Sequence, residues 1–136
     1  LARKTTLDAV AQLSGAIRRL ADEPNTNRRA LAALGALLGA NYLLASDLSS
    51  MPVLVKLRAH DLDGAQADAA IAATRARVVR MLDPPGPGQD RPPAPTGPAV
   101  AQGSAAMDVL ARRLEHIEHA ARKVAHLAAR PVIENL

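Results

Sequence analysis

The sequence contains almost no aromatic residues and no cysteine. Its 136 residues include one Tyr and neither Phe nor Trp, so aromatic residues make up 1% of the chain. Globular cores usually obtain a large part of their buried area from aromatic side chains. The absence of cysteine excludes disulfide bonds, thiolate catalysis and zinc sites with cysteine ligands. The fold must therefore be held together by aliphatic side chains.

Long apolar runs and catalytic motifs are also missing. The longest apolar stretch, residues 30–45, is interrupted by Asn41 and is shorter than the roughly 20 residues that a membrane-spanning helix needs. We therefore expect no membrane partner. The serines lie within or at the ends of predicted helices, where they have an ordinary capping role, and no glycine-rich phosphate loop is present. We expect a protein that is not an enzyme and has no cofactor.

Three of the four histidines lie close together near the C-terminus. Glu115 and His119 are four residues apart and His116 and His119 three apart, so each pair shares one face of a helix. The pattern matches neither the H-E-x-x-H motif nor the Glu-x-x-His motif of di-iron bundles. We interpret these side chains as solvated helix flanks and predict no metal site.

The residues that are abundant favour helices. Hydrophobic residues make up 49% of the chain, and most of them are Ala, Leu and Val. Ala and Leu are among the best helix formers, and small aliphatic side chains suit close packing of helices. The composition therefore predicts an all-α fold.

The strongest pattern lies in residues 104–130, where apolar residues recur at alternating intervals of three and four. Such a heptad repeat predicts a long helix that packs along other helices through a narrow strip. Ser104 is its predicted N-cap and Pro131 its end. We call this strip the α4 seam, and its residues are Met107, Leu110, Leu114, Ile117, Ala121, Val124 and Ala128.

Three helices are predicted before this one. The first ends at Ala21, the second spans about residues 27–50, and the third spans residue 52 to about residue 83, with Ser49 or Ser50 as its N-cap. Pro52 would then occupy a first turn, where its missing N–H is tolerated. The second helix is expected to be the most buried. The residues of its predicted packing face are Leu31, Leu34, Leu38, Ala45 and Leu48, and Leu37 and Leu44 widen this face.

Length and proline content predict the shape. A third helix of about 32 residues would span roughly 48 Å, longer than the roughly 37 Å diameter of a compact globule of this size. We expect an elongated molecule, although Gly64 is a point where the helix could break. Seven prolines between Pro84 and Pro98 exclude a helix there. A polyproline II linker of about 15 residues reaches roughly 46 Å, so the fourth helix could return and lie parallel to the third, or cross to another chain.

The predicted fold class is thus an all-α, elongated bundle of about four long helices with a Pro-rich linker before the last. The predicted domains are a three-helix segment at 1–83, an extended linker at 84–103, and a heptad helix with a short tail at 104–136. Narrow apolar strips on a rod leave apolar edges open, and a homodimer is the simplest way to close them.

Net charge does not decide the type of partner. The chain carries 17 basic and 13 acidic residues, a formal charge of +4. The charges are interspersed, and Asp108 with Arg112 and Glu118 with Arg122 have the i, i+4 spacing of ordinary pairs on a helix surface. No aromatic residues accompany the basic residues to stack on bases. Nucleic acid is not the expected partner. A nucleic-acid-binding helical domain stays open as an alternative, with Arg18, Arg19, Arg28, Arg29, Arg112 and Arg113 as its candidate contacts.

A family resemblance rests on composition. An Arg-rich, Lys-poor chain of long helices, interrupted by the tract DPPGPGQDRPPAPTGP and beginning without Met, resembles the central region of the large tegument protein of alphaherpesviruses. The resemblance covers the whole chain as an excised piece of a very long protein. That family's N-terminal cysteine protease requires a Cys, so no catalytic residue carries over.

The resemblance implies a virion protein that links capsid to tegument, found in the tegument and in the host cytoplasm and nucleus. Other tegument or capsid proteins are its implied partners. We expect a non-enzymatic scaffold segment that acts as a helical spacer and a surface for self-association or partner docking. Without the resemblance, the expected location is only intracellular. A second alternative is an adaptor whose α4 seam receives a helix of a different protein.

Overall fold

The structure is a computed structural model that describes residues 2–22, 28–84 and 103–129. Four α-helices make up most of these residues, and no β-strand occurs among them. The predicted all-α class is therefore confirmed. In chain order the helices are α1 (Ala2–Ala21), α2 (Arg28–Leu57), α3 (Gly64–Leu82) and α4 (Ala105–Ala128).

The prediction that a new helix begins at Pro52 is wrong. Helix α2 continues through Pro52 and ends at Leu57. A proline inside a helix removes one hydrogen bond and costs roughly 3 kcal/mol. Leu44 and Met51 are buried in the core, and each fully buried large apolar side chain contributes roughly 1.5 to 3 kcal/mol. Their burial offsets the cost of the proline. Ser50 does not cap a new helix, because its hydroxyl donates a 2.7 Å hydrogen bond to the Asp47 carbonyl within α2.

The unbroken third helix does not form, and the chain turns at residues 58–63 instead. Asp63 is the N-cap of α3. Its side chain accepts a 3.1 Å hydrogen bond from the Gln66 backbone N–H, and the Gln66 side chain donates to it at 3.3 Å. Such a cap stabilises a new helix start. The longest helix is therefore α2, whose 30 residues span about 45 Å.

Helix α4 lies at the centre of the packing. It contacts both α2 and α3, while α1 contacts α2. The Ser104 hydroxyl at the start of α4 donates a 2.7 Å hydrogen bond to the carbonyl of Asp61, just before α3. Helices α3 and α4 therefore run parallel, in line with the expectation from the reach of the linker, and α2 runs antiparallel to both.

One apolar core joins α2, α3 and α4. Besides α4 residues it contains Ala40, Leu44, Met51, Ala67, Ala70 and Val78. The expectation that the second helix is the most buried is wrong, because seven residues of α4 are buried and only three of α2. The apolar residues of α2 are spread around its circumference, whereas those of α4 form one strip. Of the predicted linker, residues 85–102 lie outside the described residues, and the three-segment division stays a prediction.

Candidate helix-docking surfaces

The α4 seam is filled by residues of the same chain. Leu110 and Ala121 are 0% exposed, and Ile117 is 2% exposed. Met107, Leu114 and Val124 are also buried, whereas Ala128 is exposed. The surfaces that cover the seam come from α2 and α3. Docking of another chain on the α4 seam would therefore require α2 or α3 to move away, and it stays a prediction.

The predicted packing face of α2 lies only partly in the core. Leu44 is buried there and Leu37 packs against it, whereas Leu31, Leu34 and Leu38 are half-buried. At 100° per residue, these last three lie on a different side of the helix from Leu44. This arrangement follows from the second contact of α2, which is made with α1.

A polar cluster fixes α4 against α3. The Glu118 Oε1 atom accepts hydrogen bonds from Arg77 Nε at 2.8 Å and from Thr74 Oγ1 at 3.3 Å, and Arg77 Nη2 lies 2.6 Å from it. Thr74 is 4% exposed, and Arg77 Nη2 donates to its hydroxyl at 3.2 Å. Glu118 was expected to pair with Arg122 on its own helix. It instead pairs with a helix 41 residues earlier in the chain.

A second polar cluster fixes α4 against α2. Asp47 Oδ1 lies 3.0 Å from Arg113 Nη1, and Asp47 Oδ2 lies 2.9 Å from His116 Nδ1. The Asp47 side chain is only 13% exposed. The sequence analysis missed Asp47, although it is the only charged residue between Arg29 and Lys56. A single carboxylate in a long uncharged stretch could have predicted that Asp47 forms a polar contact with another helix.

Both clusters connect α4 to a neighbouring helix. Among residues 2–22, 28–84 and 103–129, no three His, Cys, Asp or Glu side chains are grouped so that they could hold a metal ion. His116 contacts Asp47, whereas Glu115, His119 and His126 are exposed.

An uncharged strip remains exposed on α2 after the core is built. Its residues recur at alternating intervals of four and three, the spacing of a heptad repeat. All are exposed except Ser50, which is half-buried. The three large members, Leu43, Val53 and Leu57, are 58%, 58% and 76% exposed. We call this strip the α2 outer face, and its residues are Ala32, Ala36, Gly39, Leu43, Ser46, Ser50, Val53 and Leu57.

The glycines of α2 have open space around them. A methyl group added at Gly35 or Gly39 would meet no described atom within 4 Å. Glycine in a helix interior costs roughly 1 kcal/mol relative to Ala. No described residue of this chain therefore packs closely against these glycines.

Exposed apolar residues also occur on α3. An open groove there is lined by Asp68, Ile71, Ala72, Arg75, Ala76 and Val79. Val79 is 47% exposed. Two charged side chains border this groove, so it is less uniformly apolar than the α2 outer face.

Helix α2 is long and apolar enough to cross a membrane, by length and composition alone. Its most apolar 18-residue window has a mean hydropathy of 1.4, and 11% of that window is buried. The sequence prediction counted only the apolar stretch at residues 30–45, whereas α2 has 30 residues. A core helix passes the same test, and Asp47 of α2 binds α4. The absence of a membrane partner stays a prediction.

The candidate nucleic-acid contacts fall into two groups. Arg18 and Arg19 lie in the last turn of α1, and Arg28 begins α2. Arg113 lies beside Asp47, which is 19 residues from Arg28 and therefore roughly 28 Å along the helix. The six arginines do not form one continuous basic surface.

Comparison with known proteins adds no identification, since no family model, curated protein or solved structure matches this chain.

Proposed function

We propose that this chain is a non-enzymatic helical scaffold segment that forms a homodimer through the α2 outer face. One observation carries the proposal: an uncharged heptad strip stays exposed although the core of the bundle is already complete. From Ala32 to Leu57 this strip is about 38 Å long. Exposed apolar surfaces of this kind mark interaction sites in soluble proteins.

The two polar clusters support the scaffold role. Glu118 ties α4 to α3 and Asp47 ties α4 to α2, so three helices are joined by specific contacts as well as by apolar packing. A bundle with fixed register holds its ends at a constant distance, as a spacer requires. The resemblance to the large tegument protein adds the setting to the proposal: a spacer between capsid and tegument, with other tegument or capsid proteins as further partners.

The adaptor alternative uses the same face in a different way. A partner helix on the α4 seam would have to displace α2 or α3, whereas a partner helix on the α2 outer face would not. The nucleic-acid alternative lacks a continuous basic surface. Self-association is favoured because an uncharged strip meets no like charges on a second copy.

Light scattering with absolute mass tests the proposal. One chain has a mass of 14.2 kDa, so we expect the mass of two chains, twice this value. Leu43→Glu places a charge in the middle of the strip, and we expect it to give the mass of one chain. Val79→Glu, a similarly exposed position on α3, is the matched control and should leave the dimer intact.

Circular dichroism of both variants would verify that each remains helical. A wild-type chain with the mass of one copy at micromolar concentration would overturn the proposal, whether it stays free in solution or binds lipid vesicles. Dissociation by Val79→Glu without dissociation by Leu43→Glu would also overturn it, because the interface would then lie on α3.

A further inference from the structure

We infer that the second copy lies antiparallel on the α2 outer face, with a two-fold axis passing between residues 44 and 45. The inference rests on the proposed homodimer and specifies its geometry. It is drawn from the distribution of side-chain size along α2, which the proposed function does not use.

When two copies of the α2 outer face are paired in opposite directions, large side chains of one copy lie opposite small side chains of the other. Two of its three large residues, Val53 and Leu57, lie in the C-terminal half of α2, while the N-terminal half contains Ala32, Ala36 and Gly39. In an antiparallel pair centred between residues 44 and 45, each strip residue lies opposite another strip residue. The opposed pairs are Ala32 with Leu57, Ala36 with Val53, Gly39 with Ser50, and Leu43 with Ser46.

Each large residue therefore meets a small one. Well-packed helix interfaces alternate large and small residues at facing positions so that side chains interdigitate. Gly39 opposite Ser50 brings two small residues together near each end of the central region, where the helix backbones can come close. The Ser50 hydroxyl already donates to the Asp47 carbonyl, so facing a partner leaves no donor unsatisfied.

A parallel pair fits less well. Leu57 would face Leu57 and Val53 would face Val53, so that the C-terminal half would hold the helices apart. Ala32 and Gly39 would then face their own copies across an underfilled gap. Unfilled space in an interface loses dispersion contacts, so the N-terminal half of the strip would contribute little binding energy in the parallel arrangement.

Single cysteines test the direction directly, because the natural chain contains none. Ala36→Cys and Val53→Cys place thiols at one opposed pair. After the two variants are mixed and exchanged, we expect oxidation to cross-link one variant to the other, with little cross-linking in either variant alone. Ala32→Cys and Leu57→Cys repeat the test at the ends and check the register.

The outcomes separate this inference from the proposed function. Cross-linking of each single variant to itself, without cross-linking between the two, would overturn the antiparallel direction while the dimer mass persists. A dimer in which neither pair cross-links would overturn the choice of face or register. A wild-type chain with the mass of one copy would overturn both proposals at once.

Discussion

Arg77 of α3 and Glu118 of α4 form an ion pair across the helix interface, with Arg77 Nη2 2.6 Å from Glu118 Oε1. The two side chains are 28% and 19% exposed, so solvent screens this pair less than a fully exposed one. The same carboxylate oxygen accepts a hydrogen bond from the buried Thr74 hydroxyl. The polar contacts of Glu118 therefore fix the position of α4 along α3. The other contacts that α3 makes at this interface come mainly from small apolar residues.

We expect Glu118→Ala to lower the free energy of unfolding by about 1 to 2 kcal/mol, the range for losing hydrogen bonds to a charged group. Glu115→Ala, three residues earlier on an exposed position of the same helix, is the matched control. It should change stability by less than about 0.5 kcal/mol. Urea unfolding at one fixed protein concentration measures both, and equal losses would contradict a specific role for Glu118.

The features predicted correctly from sequence are those set by local pattern. The heptad spacing identified six buried residues of α4, because the 3.5-residue repeat fixes one side of a helix regardless of what packs on it. Ser104 was recognised as the N-cap because a serine before an apolar-periodic run is a local signal. The structure has Ser104 in that position, accepting a hydrogen bond from the Met107 N–H.

The features missed from sequence depend on tertiary contacts. Pro52 indicated a helix start by local rules, but packing of Leu44 and Met51 against α4 keeps the helix continuous. The D-x-x-Q sequence at Asp63–Gln66 was a readable signal for the start of α3 and was overlooked. The partners of Glu118 and Asp47 were unpredictable in principle, because the heptad pattern does not specify which helix lies on each flank of α4.

A substitution at Leu110 tests how much the α4 seam contributes to the free energy of unfolding. It is 0% exposed, and large-to-small substitutions at such positions lose both the transfer free energy and the energy of the cavity. We expect Leu110→Ala to lower the free energy of unfolding by about 3 to 5 kcal/mol. Its neighbour Val109, which is 37% exposed, provides the control, and Val109→Ala should cost less than about 1 kcal/mol.

Denaturant titration of both variants at equal concentration distinguishes the two cases. If Leu110→Ala lowers the free energy of unfolding only slightly, the α4 seam is not covered by α2 and α3. The seam would then be open to a helix of another chain.

Ser104 connects the start of α4 to the turn before α3. Its oxygen accepts from the Met107 N–H and its hydroxyl donates to the Asp61 carbonyl. We expect Ser104→Ala to cost about 1 to 2 kcal/mol, because it removes a helix cap together with a hydrogen bond between segments. Ser104→Thr retains the hydroxyl and should recover most of the loss. Thermal unfolding compares the three proteins, and indistinguishable melting curves for Ser104→Ala and wild type would refute this connection.

Pro52 tests whether α2 is one helix or two. In the interior of a continuous helix, Pro52→Ala supplies an N–H that can donate to the Leu48 carbonyl and removes the steric conflict of the ring. We expect the free energy of unfolding to rise, by up to about 3 kcal/mol. If Pro52 instead began a separate helix, no such gain would follow, because the first N–H groups of a helix have no acceptor within it. Pro84→Ala, at an exposed non-helical position after α3, is the control and should change stability by less than about 1 kcal/mol. Because Pro52 is not part of the α2 outer face, the dimer mass should stay the same in both variants, so a stability gain can be assigned to the helix itself.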